Sequence, residues 1–451
     1  MGGGARTAEL EQGHLHDLCS AVHPMAVASP FFSQFELQRR IEFAVPDISY
    51  AHPLDGGRAG VAFRDLTRTV EGLGHDGPAY RRLMEPLVRN LEGTLDVALN
   101  HLVRVPRHPV TAARFGLAAL DQGTPLWNRR FSTDVAAALF TGVAAHPVGT
   151  LPSLPSAGAG LTLGALAHAG GWPIPLGGSQ SIADSMVDDI RAHGGKMVTD
   201  HAVRTLSELS GVPLVLLDIA PPALLQLADG MLPRTYARAL ERFRFGNGAC
   251  KVAYNLSGPV PWSNGDVAQA GTVHLGGTRE EIVASEAQVA AGKHAENPYV
   301  LLSQPSLFDP SRAPEGRHVL WTYCHVPSGS TLDMAEAVTA QIERFAPGFR
   351  DVVVSSFTTT ADELAASNAN YVGGDFGGGA VTLAQMVARP VLSHAPWRTP
   401  LDGVYLCSAS TPPGPGVHGM SGFHAARLAL RQVFGLGVPA LGVRREKNWR
   451  L

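Results

Sequence analysis

The sequence predicts an α/β fold built on buried strands, with a separate α+β region inserted into it. Three observations carry this. The segments "VPLVLLDI" (212–219) and "GVYLCSAS" (403–410) are apolar runs of strand length, as expected of strands buried on both faces. Each leads through a proline- or glycine-rich turn into a helical pattern, the alternation from which an α/β core is made. Between them, residues 230–390 are mixed and rich in turns, which reads as the inserted region.

Bulk properties narrow the function. In 451 residues, 45 % are hydrophobic and 17 % charged, too apolar for general disorder and sufficient for a large core. A net charge of −3 without a long basic stretch argues against a nucleic-acid partner. Cys19, Cys250, Cys324 and Cys407 are far apart and form no CxxC, as expected of reduced thiols. No basic-then-apolar leader pattern opens the chain, so a cytoplasmic location is expected. The closing "VRREKNWRL" reads as a solvated basic tail.

Taken along the chain, "MGGGARTAEL" opens with a glycine run, which loses much backbone entropy on ordering and belongs where backbone must approach something closely. Residues 37–63 read as strands and hairpins, and 78–120 as helix. No Asp, Glu, Lys or Arg falls between Asp134 and Asp184. Prolines at 147, 152, 155, 173 and 175 interrupt every candidate membrane span in that tract. It reads as buried core, or as the lining of a pocket for an apolar substrate; peripheral contact with a membrane stays open. "GGSQSIADSMVDDIRAHGG" is a glycine turn and a helix. Ser181 and Asp184 make a capping-box pattern, Ile182, Met186 and Ile190 share a face, and Gly194 and Gly195 end it. "KMVTDHAVRTL" reads as two short strands. After 410 a helix carries Phe423, Ala426, Leu430 and Val433 on one face.

Several motifs fail on context. Gly414, Gly416 and Gly419 satisfy G-x-G-x-x-G between a strand and a helix, yet the βαβ unit and the acidic residue that should follow are missing. The helix start remains suited to an anionic group. "GMSG" has Phe423 where a nucleophile elbow needs glycine. His14, His16 and His23 read as ordinary polar residues near a turn rather than as metal ligands, and no metal site is expected. Lys251 alternates with Val252 and Tyr254, and by spacing alone is a solvated strand lysine.

Together, "GGGARTAEL", "HDLCSAVHP", "GWPIPLGGSQSIADSMVDDIRAHGGKMVTDHAVRTL", "FGNGACKVAYNLSGPVPW", "YVGGDFGGGAVTLAQMVARP" and "DGVYLCSASTPPGPGVHGMSGFHAARLAL" resemble the FAD-dependent phytoene-desaturase-like (carotenoid/retinoid oxidoreductase) family, in its poorly characterised bacterial branch. The resemblance implies a Rossmann-like FAD-binding domain made of 1–60, 174–228 and 395–451, and a substrate-binding domain made of 61–173 and 229–394. In that family a strand, a glycine turn and a helix precede the GGG stretch. This chain is therefore expected to lack roughly 35 residues of one βαβ beginning, through a misassigned start or a real truncation.

The resemblance also implies site residues. Gly2, Gly3 and Gly4 would approach the flavin dinucleotide; where many relatives have arginine this chain has Gly4, leaving Arg6 as the nearby cation for phosphate. Ser20 to His23 would run past the flavin ring, and the Val203 backbone would meet the adenine. Gly416, Val417, His418 and Gly419 would face the pyrimidine edge. Lys251 is similar to the strand lysine of flavin amine oxidases that holds a water near flavin N5, and Asp375 would sit at the substrate mouth or merely cap a helix. The implied activity is hydride transfer between flavin N5 and an apolar substrate. A redox-neutral flavin isomerase, or a non-catalytic protein binding an apolar ligand or a partner, are the alternatives.

Overall fold

The computed structural model describes residues 1–442; the basic tail "VRREKNWRL" lies outside the described residues. Strands β1 (Thr7–Glu11) and β2 (His14–Asp17) form an antiparallel ribbon. β3 (Phe43–Ala44) pairs with β6 (Ile174–Pro175). A seven-stranded sheet takes β4 (Ile48–Leu54), β5 (Arg58–Phe63), β8 (Gly248–Leu256), β9 (Ala270–Leu275), β10 (Val300–Ser303), β11 (His318–Val326) and β12 (Val353–Thr359) in the order β12-β8-β11-β10-β9-β4-β5. Within it β4 and β9 are parallel, Tyr50 opposite Thr272, and the other pairs antiparallel. β7 (Val215–Leu217) and β13 (Val404–Leu406) form the parallel pair.

Both faces of the large sheet are covered. Cys250, Val252, Tyr254 and Leu320 pack on one side with Val338 and Ile342 of the helix Ala335–Phe345. Ala249, Leu301, Trp321 and Tyr323 lie on the other. The uncharged tract folds into two helices, Asp134–Ala144 and Leu154–Ala169, whose Leu139, Phe140 and Leu161 are buried against Tyr50 and Trp172. Among the described residues no helix is long and apolar enough to cross a membrane.

Several expectations need correction. Residues 48–60, assigned above to the nucleotide-binding domain, contribute β4 and the start of β5 to the large sheet. Residues 196–204, including Val203, form no strand: no neighbouring strand among the described residues offers this stretch backbone partners, and it stays in exposed coil. Only 215–217 of "VPLVLLDI" is strand, and Leu216 is 41 % exposed, because a two-stranded sheet leaves a face uncovered. The helix Gln180–Ala192 begins after Ser179 without a side-chain cap; Ser181 Oγ turns back to the Gly178 carbonyl, and Asp184 accepts from Gln180 instead. The last helix, Met420–Phe434, buries Ser421, His424, Ala425 and Ala429, one position off the expected face.

Candidate functional site

A cavity of about 820 Å³ lies where the C-terminal ends of β7 and β13 meet the large sheet. Ligands of open α/β sheets bind outside the carboxyl ends of the parallel strands. Three glycine loops line it: Gly2–Gly4, Gly377–Gly379 and Gly416–Gly419. The second of them packs closely against the segment after β13. A Cβ on Gly378 would stand 3.0 Å from the Ala409 Cβ, and one on Gly377 3.8 Å from Pro415 Cγ. At Gly416, φ +129° is closed to side chains and a Cβ would collide with Met25 Cε.

The sheet supplies the wall opposite these loops. Lys251 of β8 faces Tyr323 of β11, Tyr323 faces Leu301 of β10, and Leu301 faces His274 of β9. Directly opposed residues share a face, so the four form one row across four strands. Lys251 is 5 % exposed and lines the cavity, with no hydrogen-bond partner for its amine among the described residues. Burial lowers its pKa to about 8 against the attraction of Asp17 and Cys19. It is thus a buried cavity amine, and the solvated lysine expected from spacing is set aside.

Asp375 also lines the cavity, but its carboxylate is occupied. It accepts from the N–H groups of Gly246, Gly377 and Gly379 at 2.7, 2.8 and 2.9 Å. Burial raises its pKa, and these donors oppose the rise. Arg389, 3 % exposed, donates to the carbonyls of Gly377, Gly378 and Ala409, tying this loop to the segment after β13. Asp375 is therefore a positioning residue rather than a catalytic one. Asp375→Ala should destabilise the protein by about 2 kcal/mol, because three buried N–H groups lose their acceptor; a denaturant midpoint against wild type measures it.

The remaining expected residues divide. Gly2, Gly3, Gly4, Ser20, Gly416, Val417 and Gly419 line the cavity. Ser20 Oγ donates to the Gly4 carbonyl at 2.9 Å and fixes that loop. Arg6 does not line it: its Nε donates to the Gly3 carbonyl, beside the turn that the Ala5 N–H closes on the Gly2 carbonyl. Val203, half-buried in its coil, does not line the cavity. The His418 ring is buried outside the lining and kept neutral, its pKa lowered to about 4 by burial. Its Nδ1 accepts from the Met420 N–H, so Nε2 carries the hydrogen, which it donates to the Gly414 carbonyl. His418 thus secures the helix start. The three N-terminal histidines do not meet on a common ligand: His14 bonds Gln12, His16 bonds Asn255 and His23 bonds Ser179.

One element escaped sequence reasoning. Arg312, fully buried, pairs with Asp17 at 2.9 Å and Asp309 at 2.8 Å. Asp17 also accepts from Ser179 N–H and Thr7, and Asp309 from Gly177 N–H. This triad clamps the ribbon to the loop before Gln180 and so places Ser20 and Gly4. Asp309 and Arg312 are three residues apart, but Asp17 lies 295 positions away, so no local pattern marks the triad.

No family model matches the chain. The Pyridine nucleotide-disulfide oxidoreductase domain-containing protein 2 of Rattus norvegicus is 27 % identical over 303 residues, 58 % of this chain and 52 % of its own. The chain thus spans about half the length of the curated relatives it matches at that level. The 4,4'-diapolycopen-4-al dehydrogenase of Metabacillus indicus is 32 % identical over 128 residues, 27 % of this chain and 25 % of its own. Among solved structures, an oxidoreductase from Methanosarcina mazei aligns over 93 % of this chain and 90 % of its own, with a TM-score of 0.55 at 12 % identity. A putrescine oxidase variant aligns over 95 % and 90 %, with a TM-score of 0.56 at 14 % identity. These proteins are described as oxidoreductases, a dehydrogenase and an oxidase, and at such identity the likeness to the solved structures is one of fold, a parallel strand pair set beside a large mixed sheet.

Proposed function

We propose that the chain is a flavin-dependent oxidoreductase of the phytoene-desaturase-like type, acting on an apolar substrate in this cavity. The observation that carries the reading is the convergence of three glycine loops and one buried, unpartnered lysine on a single cavity. These residues fit the ring portion of a flavin: the loops present backbone at close range, and the opposing wall is aromatic and aliphatic. When bound, the flavin supplies a hydride acceptor that side chains cannot.

The chain's own groups then have definite tasks. Trp321, Tyr323 and Leu301 exclude water from the reacting carbon. The helix Met420–Phe434 directs its N-terminus at the cavity, and the N–H groups of Ser421 and Gly422 have no acceptor among the described residues. That end carries about half a positive charge, which favours negative charge developing beside it. Lys251 holds a water and its proton on the sheet side. Arg389 and Asp375 keep the facing loop rigid. The apolar lining supplied by Pro147, Val148, Pro155 and Leu163 accommodates an apolar substrate.

Protein prepared with FAD and freed of excess by gel filtration should retain visible flavin absorbance at about one equivalent. A colourless protein that takes up neither FAD nor FMN would overturn the reading.

A further inference from the structure

His146 and Thr272 form a polar place on the cavity wall that the hydride chemistry leaves unused. His146 follows the helix Asp134–Ala144 and lines the cavity. Its Nε2 lies 2.7 Å from Nε2 of His274. Two residues before His274, on the same face of β9, Thr272 also lines the cavity. Thr272 is 1 % exposed and its Oγ1 has no hydrogen-bond partner. A buried hydroxyl without a partner is uncommon and calls for a ligand, a water or strain as its explanation.

The histidine pair fixes what His146 can offer. Two ring nitrogens at this distance share one hydrogen. Nδ1 of His274 is buried without a partner. An unpaired buried N–H is rarer than an unpaired acceptor, so Nδ1 of His274 is the bare nitrogen and its Nε2 carries the hydrogen. His274 therefore donates to His146 Nε2, and the hydrogen of His146 sits on Nδ1, which has no partner among the described residues. Burial holds both rings in the neutral form, with the His146 pKa lowered to about 3. A neutral donor and a free hydroxyl on one cavity wall suit an uncharged oxygen better than a carboxylate.

We propose that His146 and Thr272 bind an uncharged oxygen function, a carbonyl or hydroxyl, borne by an otherwise apolar substrate. This rests on reading the cavity as the substrate's. Lys251 and His274 occupy the two ends of the four-strand row, three strand spacings or about 14 Å apart. The substrate accordingly carries its oxygen remote from the reacting carbon, with Tyr323 and Leu301 along the span. The site selects apolar chains by a polar anchor, because a pocket built to hydrogen-bond rejects analogues lacking the group more sharply than one sorting by methylenes alone.

Binding of dodecanal, dodecanol and dodecane to the full chain, by displacement of an apolar fluorescent dye, tests this without turnover. Dodecanal and dodecanol should bind about tenfold more tightly than dodecane, the worth of one or two net hydrogen bonds. In Thr272→Val combined with His146→Phe the preference should fall below about twofold while dodecane affinity persists, which also reports that the variant is folded. If that variant loses dodecane, Thr272→Val alone, which nearly conserves shape, should still reduce the preference. Equal affinity for the three compounds, no binding of any, or a preference that survives the substitutions would overturn the proposal. Flavin uptake is scored separately in the same preparation, so a protein that shows the preference without taking up flavin would count against the flavin reading alone.

Discussion

Arg312→Ala should lower the free energy of unfolding by about 3–5 kcal/mol, because removing one member of a buried ion pair strands the others in low dielectric. Here the loss is compounded: Asp17 and Asp309 are buried with Arg312, and both also accept backbone N–H groups of residues 177–179. Globular domains are stable by only about 5–15 kcal/mol, so the variant should unfold at markedly lower denaturant. Arg312→Lys should recover little, since one ammonium cannot reproduce the guanidinium's reach to Asp17, Asp309 and the Pro175 carbonyl together. A variant as stable as wild type would show that the triad does not hold this part of the site.

Lys251→Met should have the opposite signature: a firmer fold and a lost activity. Burial takes the amine pKa from 10.5 to about 8, so between those values the unfolded chain binds more protons than the folded one. Stability therefore rises with pH across that window, and below about pH 8 the wild type carries a cost of about 3 kcal/mol. Met fills similar volume without a charge. The variant should gain stability near neutral pH, and the gain should vanish by about pH 10.5. Turnover should fall about a hundredfold, the usual scale for loss of one positioned proton-handling group, and the rate change expected of wild type near pH 8 should be absent from the variant. Unaltered turnover with an unaltered pH profile would make Lys251 a passive wall residue.

What the sequence made legible was what local pattern encodes. The glycine runs at 2–4 and 416–419 are the ones that the resemblance placed at the flavin, and each contributes residues to the cavity lining, although only the structure shows that they meet there with 377–379, a run to which the sequence reading assigned no role. Lys251 was visible as a strand residue, but its burial depends on Tyr323 and Leu301 from strands whose register no local rule supplies. The parallel pairing of β4 with β9 joins residues far apart in the chain, which is why 48–60 looked like part of the nucleotide-binding unit. Val203 fails for the converse reason: a strand pattern needs a neighbouring strand. The Arg312 triad, the Asp375–Arg389 clamp and the His146–His274 pair are long-range polar arrangements. In the sequence each member is an ordinary charged or aromatic residue; only burial gives it a role.

The most direct test of the whole account is a crystal structure of the full chain grown with FAD. The account predicts density for a tricyclic ring inside the cavity, bounded by Gly416–Gly419 and Gly377–Gly379, with Lys251 on the sheet side and a water at its amine. A ring bound elsewhere on the surface, or a cavity that closes and excludes it, would contradict the account.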